Sequence, residues 1–155
     1  MKIILPKTIE DKIYEVIYSA NNKETGGILM GEHIEESNYR IADITIQKAI
    51  GTFASFIREV TEIIKPLKMF FKLTNHNYTK YNYLGEWHSH PGMNLNPSVT
   101  DMKSMFEIVN DPRTNANFAV LIIFQINKNN GKLHGCATVY LPLGRVIRGE
   151  LIYEG

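Results

Sequence analysis

Two histidines one residue apart, His88 and His90, with Asp101 following, are the residues of this chain whose types and spacing suit chemistry. In an extended strand, residues two apart point to the same face, so both imidazoles stand side by side. Pro91 then stops ladder pairing, and a loop leads to a helix beginning near Ser98 whose first turn holds Asp101. Two neutral imidazole nitrogens and one carboxylate oxygen make a three-ligand set suited to zinc. A fourth position would remain for water, and zinc lowers the pKa of such a water to about 7. The same residues have a structural reading. Ser98-x-x-Asp101 ahead of an apolar helix is the pattern of a capping box, in which each side chain satisfies a backbone N–H. Asp101 has two carboxylate oxygens, so the readings are compatible, and spacing alone leaves both open.

The elements that must position these residues are legible from periodicity. Ile3 to Leu5 reads as a short first strand, and Ile9, Ile13, Val16, Ile17 and Ala20 give an amphipathic helix from Thr8 to about Asn21. Gly26-Gly27 opens a short apolar strand, and residues 39–49 alternate as another. Residues 59–75 follow a helical pattern that Pro66 should kink or split. Tyr83 to His88 reads as a buried strand, and Met102, Met105, Phe106 and Val109 mark one face of the helix after Ser98. Phe118 to Ile126 is continuously apolar, as expected of a central strand buried on both faces. The NKNNG turn at 127–131 returns the chain as Leu133 to Leu141, and residues 145–155 are expected to add a last strand. Helices interspersed with strands predict an α/β or α+β sandwich around a mixed sheet.

Composition narrows the partners. Lys and Arg number 17 against 16 Asp and Glu, and this near-neutral balance argues against bulk attraction to nucleic acid or to an anionic membrane. Cys136 is the only cysteine, which excludes an internal disulfide and a Cys-rich zinc site. The N-terminal apolar run before Pro6 is too short for a signal-peptide core or a membrane span, so a cytoplasmic, reducing compartment is expected.

His88-Ser89-His90-Pro91 followed by Asp101, with Ser98 three residues before it, resembles the signature of the JAMM (MPN-type) zinc metalloproteases. That signature also carries a glutamate just after the first helix, beside a glycine-rich strand start, and Glu24 in ETGGILMG stands in the matching place. The resemblance covers nearly the whole chain. It implies an α+β sandwich with a mixed central sheet flanked by helices, similar in fold to the cytidine deaminases, as one domain over residues 1–155. It further implies one Zn2+ held by His88, His90 and Asp101, with Glu24 as general base and Ser98 stabilising the oxyanion.

The activity implied is hydrolysis of a peptide or isopeptide bond after the C-terminal Gly of a ubiquitin-like protein. The substrate would be that protein or its conjugate, with no nucleic acid, no membrane and no particular oligomeric state implied. Lacking the long insertions of eukaryotic deubiquitinating members, the chain resembles the compact prokaryotic branch. Members of that branch process sulfur-carrier proteins or deconjugate targets in antiphage operons of the CBASS type, and GEWHSHP is similar to the second group. A non-catalytic MPN scaffold is the contrasting reading, but such members lose a ligand or the glutamate, and here every position is filled. Deaminase chemistry would need a His/Cys/Cys site, which one cysteine cannot supply.

Other residues carry weaker expectations. Glu86 either orients a ligand imidazole or is a solvated or sheet-edge glutamate. Trp87 should point away from the histidine face into the core. His33, His76 and His134 read as surface residues, Cys136 as a buried small side chain, and Asn94–Asn96 as a loop beside the metal that shapes substrate entry or merely turns in solvent.

Overall fold

One mixed sheet of eight strands organises the computed structural model, which describes residues 1–47, 60–92 and 94–155. In chain order the elements are β1 (Lys2–Pro6), α1 (Lys7–Ala20), β2 (Gly26–Glu35), β3 (Asn38–Ile44), α2 (Val60–Leu73) and β4 (Tyr81–Ser89). There follow α3 (Val99–Asn110), β5 (Ala119–Ile126), β6 (Leu133–Leu141), β7 (Arg145–Arg148) and β8 (Glu150–Glu154). The strand order is β7-β6-β5-β4-β2-β3-β1-β8. Pairs β1–β3, β1–β8 and β4–β5 are parallel and the remaining named pairs antiparallel, which is the mixed sheet expected.

The chain's tail departs from expectation. Residues 145–155 form two strands rather than one, and only Gly149 separates β7 from β8, which lie at opposite ends of the strand order. The sheet must therefore curl until its ends approach. The Gly149 amide donates to the Ala137 carbonyl and the Glu150 amide to the Met1 carbonyl, each at 3.0 Å. Inside the curl lies α1, whose Ile9, Ile13 and Ile17 recur every four residues and meet Ile3, Leu5, Ile41, Trp87, Val120, Ile122 and Phe124. Outside, α3 lays Met105 and Val109 on Ala119, Leu121, Ile123 and Tyr140, while Phe70 of α2 packs on Ile28 and Met30. Successive β5 residues alternate between the inner and outer clusters, so this strand is buried on both faces, as its apolar run predicts.

Two further expectations are corrected. Pro66 does not split α2, which runs through it from Val60 to Leu73. Proline removes one backbone donor, and packing of Leu67, Phe70 and Phe71 against β2 and β4 holds the helix together. Residue 59 lies outside the described residues. The strand expected over 39–49 ends at Ile44, where the Asp43 carboxylate takes the Ile44 amide at 2.8 Å. Thr45 and Gln47 still donate to the Ile28 and Gly26 carbonyls, and residues 48 and 49 lie outside the described residues. Of the described residues, none forms a helix long and apolar enough to cross a membrane.

Candidate metal centre

A bulge in β4 sets the faces of the site. Gly85 (φ 155°) lies against β5, and a Cβ there would stand 1.8 Å from the Val120 carbonyl oxygen. The pairing with β2 shifts register opposite it. Leu84 and Trp87 consequently both belong to the inner core, leaving Glu86 and His88 on the outer face. Trp87 is buried as expected, its indole N–H donating to the Thr45 carbonyl at 2.9 Å. A side chain at Gly27 would collide with that carbonyl and with the indole, at 1.8 and 2.8 Å, which explains the second glycine of the strand start.

His90 lies just past the end of β4. Its amide donates to the Phe124 carbonyl at 3.0 Å, and its own carbonyl accepts from Gln125 Nε2 at 3.1 Å. Asp101 arrives from the other side, in the first turn of α3. The capping box is present: Ser98 Oγ accepts the Asp101 amide at 3.1 Å, and Asp101 Oδ2 accepts the Ser98 amide at 2.8 Å. The same carboxylate meets both histidines, with Oδ1 3.1 Å from His88 Nδ1 and Oδ2 3.4 Å from His90 Nε2. Capping and histidine contact thus share one aspartate.

Each imidazole turns one nitrogen to Asp101 and the other to an acceptor. His88 Nε2 lies 3.1 Å from Glu86 Oε2, and His90 Nδ1 lies 3.3 Å from the Asn94 carbonyl. In the neutral imidazole, an acceptor on the far nitrogen favours the tautomer whose lone pair points toward Asp101, which is what a metal-binding histidine needs. Adjacent donors around a tetrahedral zinc with bonds of about 2.0–2.1 Å lie about 3.3 Å apart, close to the 3.1 and 3.4 Å from the imidazoles to Asp101, although the two imidazoles meet different oxygens of that carboxylate. Among the described residues no three such side chains are already posed around one point as a metal cage. The arrangement is a hydrogen-bonded cluster whose donor set suits zinc.

His88, His90, Asp101 and Glu86 are all buried. Burial pulls the His88 imidazole down, but hydrogen bonds to Asp101 and Glu86, with their charges, outweigh it and raise the pKa from 6.5 to about 9. Burial alone would push Asp101 up, yet hydrogen bonds from His88, His90 and the Ser98 backbone hold it well below the usual carboxylate range. Tyr140 is buried, which pushes its phenol up to about 12, with the Asp101 charge adding to the shift.

Glu24 is half-buried in the segment just before β2. Gly26 pairs with His88, and Thr25 and Ser89 exchange hydrogen bonds, so Glu24 stands one residue before the Thr25–Ser89 link as His90 stands one residue after it. No hydrogen bond among the described residues joins Glu24 to the cluster. Ser98 stands exposed at the mouth of the site, and its cap uses the oxygen as acceptor, so its O–H proton is free of that bond.

Of the two readings of Glu86, the structure selects the partner of His88 over the solvated or edge glutamate. His33, His76 and His134 are exposed, as expected. Cys136 is half-buried rather than buried, because α3 covers the far end of β6 at Tyr140 more fully than its start. Asn94 meets the site through its backbone carbonyl, while its side chain accepts the Asn96 amide. Sequence reasoning missed Gln125 and Ser89. The signal for Gln125 was a polar residue closing an otherwise apolar central strand.

A family model described as prokaryotic homologs of the JAB domain matches residues 6–134. A curated protein of Enterobacter hormaechei subsp. hoffmannii, named CD-NTase/cGAS isopeptidase, is 35% identical over 109 residues, covering 68% of this chain and 57% of that protein. The chain therefore spans little more than half the length of that relative. Its structure is similar to the solution structure of a Desulfitobacterium hafniense protein, with a TM-score of 0.66 and 18% identity over 98% of this chain and 92% of that one. It is also similar to the crystal structure of a JAB1/MPN domain protein from Archaeoglobus fulgidus, with a TM-score of 0.52 and 14% identity over 97% and 98% of the two chains. At these identities the two structures show a shared fold.

Proposed function

Because the chain belongs to the prokaryotic JAB family, of the JAMM/MPN type, we propose that it is a zinc-dependent isopeptidase. The observation that carries this reading is the pair of imidazoles converging on Asp101, each with its second nitrogen on an acceptor. His88, His90 and Asp101 would hold one Zn2+. When bound, the ion supplies a Lewis acid and lowers the pKa of water to about 7. The Glu24 carboxylate takes the proton of the attacking water and returns it to the leaving amine as the C–N bond breaks. The Ser98 O–H donates to the oxyanion that develops on the attacked carbonyl.

The substrate we propose is a conjugate in which the C-terminal Gly of a ubiquitin-like protein is joined to a lysine. A thin Gly tail can lie extended beside the site, where bulky side chains would be excluded. The name of the Enterobacter relative supports deconjugation of a CD-NTase-type protein over trimming of a sulfur-carrier precursor, and we propose a cytoplasmic antiphage system as its setting.

The test is metal analysis together with cleavage of a Gly-Gly-linked fusion. Protein prepared without chelator should carry one zinc, lose cleavage on chelation and regain it with zinc. Glu24→Gln should keep the zinc and lose cleavage. Unchanged cleavage in that variant would refute Glu24 as base, and protein that never takes up zinc would refute the whole scheme.

A further inference from the structure

Glu86 is a carboxylate in a central strand, 2% exposed, paired with Ile28 of β2 on one side and Leu121 of β5 on the other. A buried charge in such surroundings is costly unless it is partnered, and an apolar residue would fill the position at no such cost. Its Oε2 lies 3.1 Å from His88 Nε2, two residues along the same strand, while His88 Nδ1 faces Asp101 at 3.1 Å. The ring of His88 is therefore clamped between two carboxylates on opposite edges, one from the sheet and one from α3.

We propose that Glu86 is a positioning residue of the metal centre, accepting the Nε2 proton of His88 so that Nδ1 presents its lone pair on the Asp101 side. The inference rests on the zinc reading above and adds to it a fourth side chain that touches no metal. Three effects follow from the geometry. The acceptor fixes one tautomer of His88, it holds the ring plane, and its negative charge joins that of Asp101 in balancing a dication. His90 obtains the first two effects from the neutral Asn94 carbonyl, so the charge effect is specific to His88.

The experiment compares zinc affinity by chelator competition, and the visible spectrum of the cobalt-substituted protein, in wild type, Glu86→Gln and Glu86→Leu. Glu86→Leu is expected to lose about 10–100-fold in zinc affinity, with a shifted cobalt spectrum. Its metal-free fold should melt lower than wild type near neutral pH, because the buried His88 loses one of its two carboxylate partners. Glu86→Gln keeps an acceptor oxygen in place and should recover much of the loss. If Glu86→Leu does not fold, Glu86→Asp, whose shorter side chain draws back from Nε2, should show the same loss. Folded variants without the acceptor that bind zinc as tightly as wild type, with an unshifted cobalt spectrum, would overturn the proposal alone. A wild-type protein that binds neither metal would overturn the zinc reading first, and this inference with it.

Discussion

Thr25 and Ser89 are joined by two hydrogen bonds: the Ser89 amide donates to the Thr25 carbonyl and the Thr25 amide donates to Ser89 Oγ, both at 2.9 Å. Ser89 is the residue between the two histidines, and Thr25 follows Glu24, so this pair ties the proposed base to the proposed ligands. Ser89 is fully buried, and its loss would leave the Thr25 amide without an acceptor. Ser89→Ala is therefore expected to cost about 1–3 kcal/mol. Thermal melting should fall by about 2–10 °C, with cleavage reduced more than zinc affinity, because the base and not a ligand is set loose. An unchanged melting temperature would show that the bond contributes nothing.

The His88–Asp101 pair gives the metal-free protein a definite pH profile. His88 titrates at about 9 when folded against 6.5 unfolded, so its stabilising proton is fully in place below about pH 6.5 and lost as pH rises through 9. Asp101 is held below its ordinary value of 3.8, so its contribution is present above that value and lost as pH falls beneath it. Urea unfolding of chelator-treated protein should thus weaken steadily from pH 6.5 to 9, and again on the acid side below about 4. His88→Gln should flatten the alkaline limb. Saturating zinc should abolish it too, since the metal then takes the place of the proton. A metal-free wild-type profile that is level across the alkaline range would contradict the clamped geometry.

What was legible in the sequence was whatever local spacing determines. The two-residue spacing of His88 and His90, the continuous apolar run of β5 and the serine–aspartate pattern at α3 fixed which residues could share a face, a central strand or a helix start. The bulge at Gly85 was invisible, because a register shift depends on the partner strands and not on the strand itself. Its consequence, however, preserved the reading, since Trp87 and His88 still fall on opposite faces. The two-strand tail was also hidden. Residues 145–155 form strands on opposite edges only because the sheet curls, and curling is a property of the assembled strands. Glu86 stayed ambiguous because nothing local distinguishes an edge strand from β4, which β2 and β5 flank on both sides.

Gly27 offers a test of the inner face with a built-in reporter. Trp87 is the single tryptophan of the chain, fully buried, with its indole N–H on the Thr45 carbonyl. A methyl at Gly27 would meet that carbonyl oxygen at 1.8 Å, and backbone cannot give way as a flexible side chain could. Gly27→Ala should destabilise by about 3 kcal/mol or more. Its tryptophan emission should move to the red as the indole is displaced toward solvent, whereas native-like emission with native stability would mean that β2 and β3 can separate freely.

Asp101 separates the two roles that the sequence left superimposed. Asn at this position keeps an oxygen that can accept the Ser98 amide, so above about pH 9, where His88 has lost its proton, Asp101→Asn should cost only about 0.5–1 kcal/mol, with a larger loss near neutral pH where the pair with His88 is broken. The negative charge that faces both imidazoles disappears with the same change. Zinc affinity should then fall by more than the roughly 10–100-fold typical of partners outside the coordination sphere. The alkaline decline of the metal-free protein should also shrink, because His88 would keep only Glu86 to hold its proton. Calorimetric zinc titration and urea unfolding on the same variant read the two roles apart. If stability collapses while zinc binding persists, Asp101 is chiefly a cap, and the metal centre must be rebuilt around other residues.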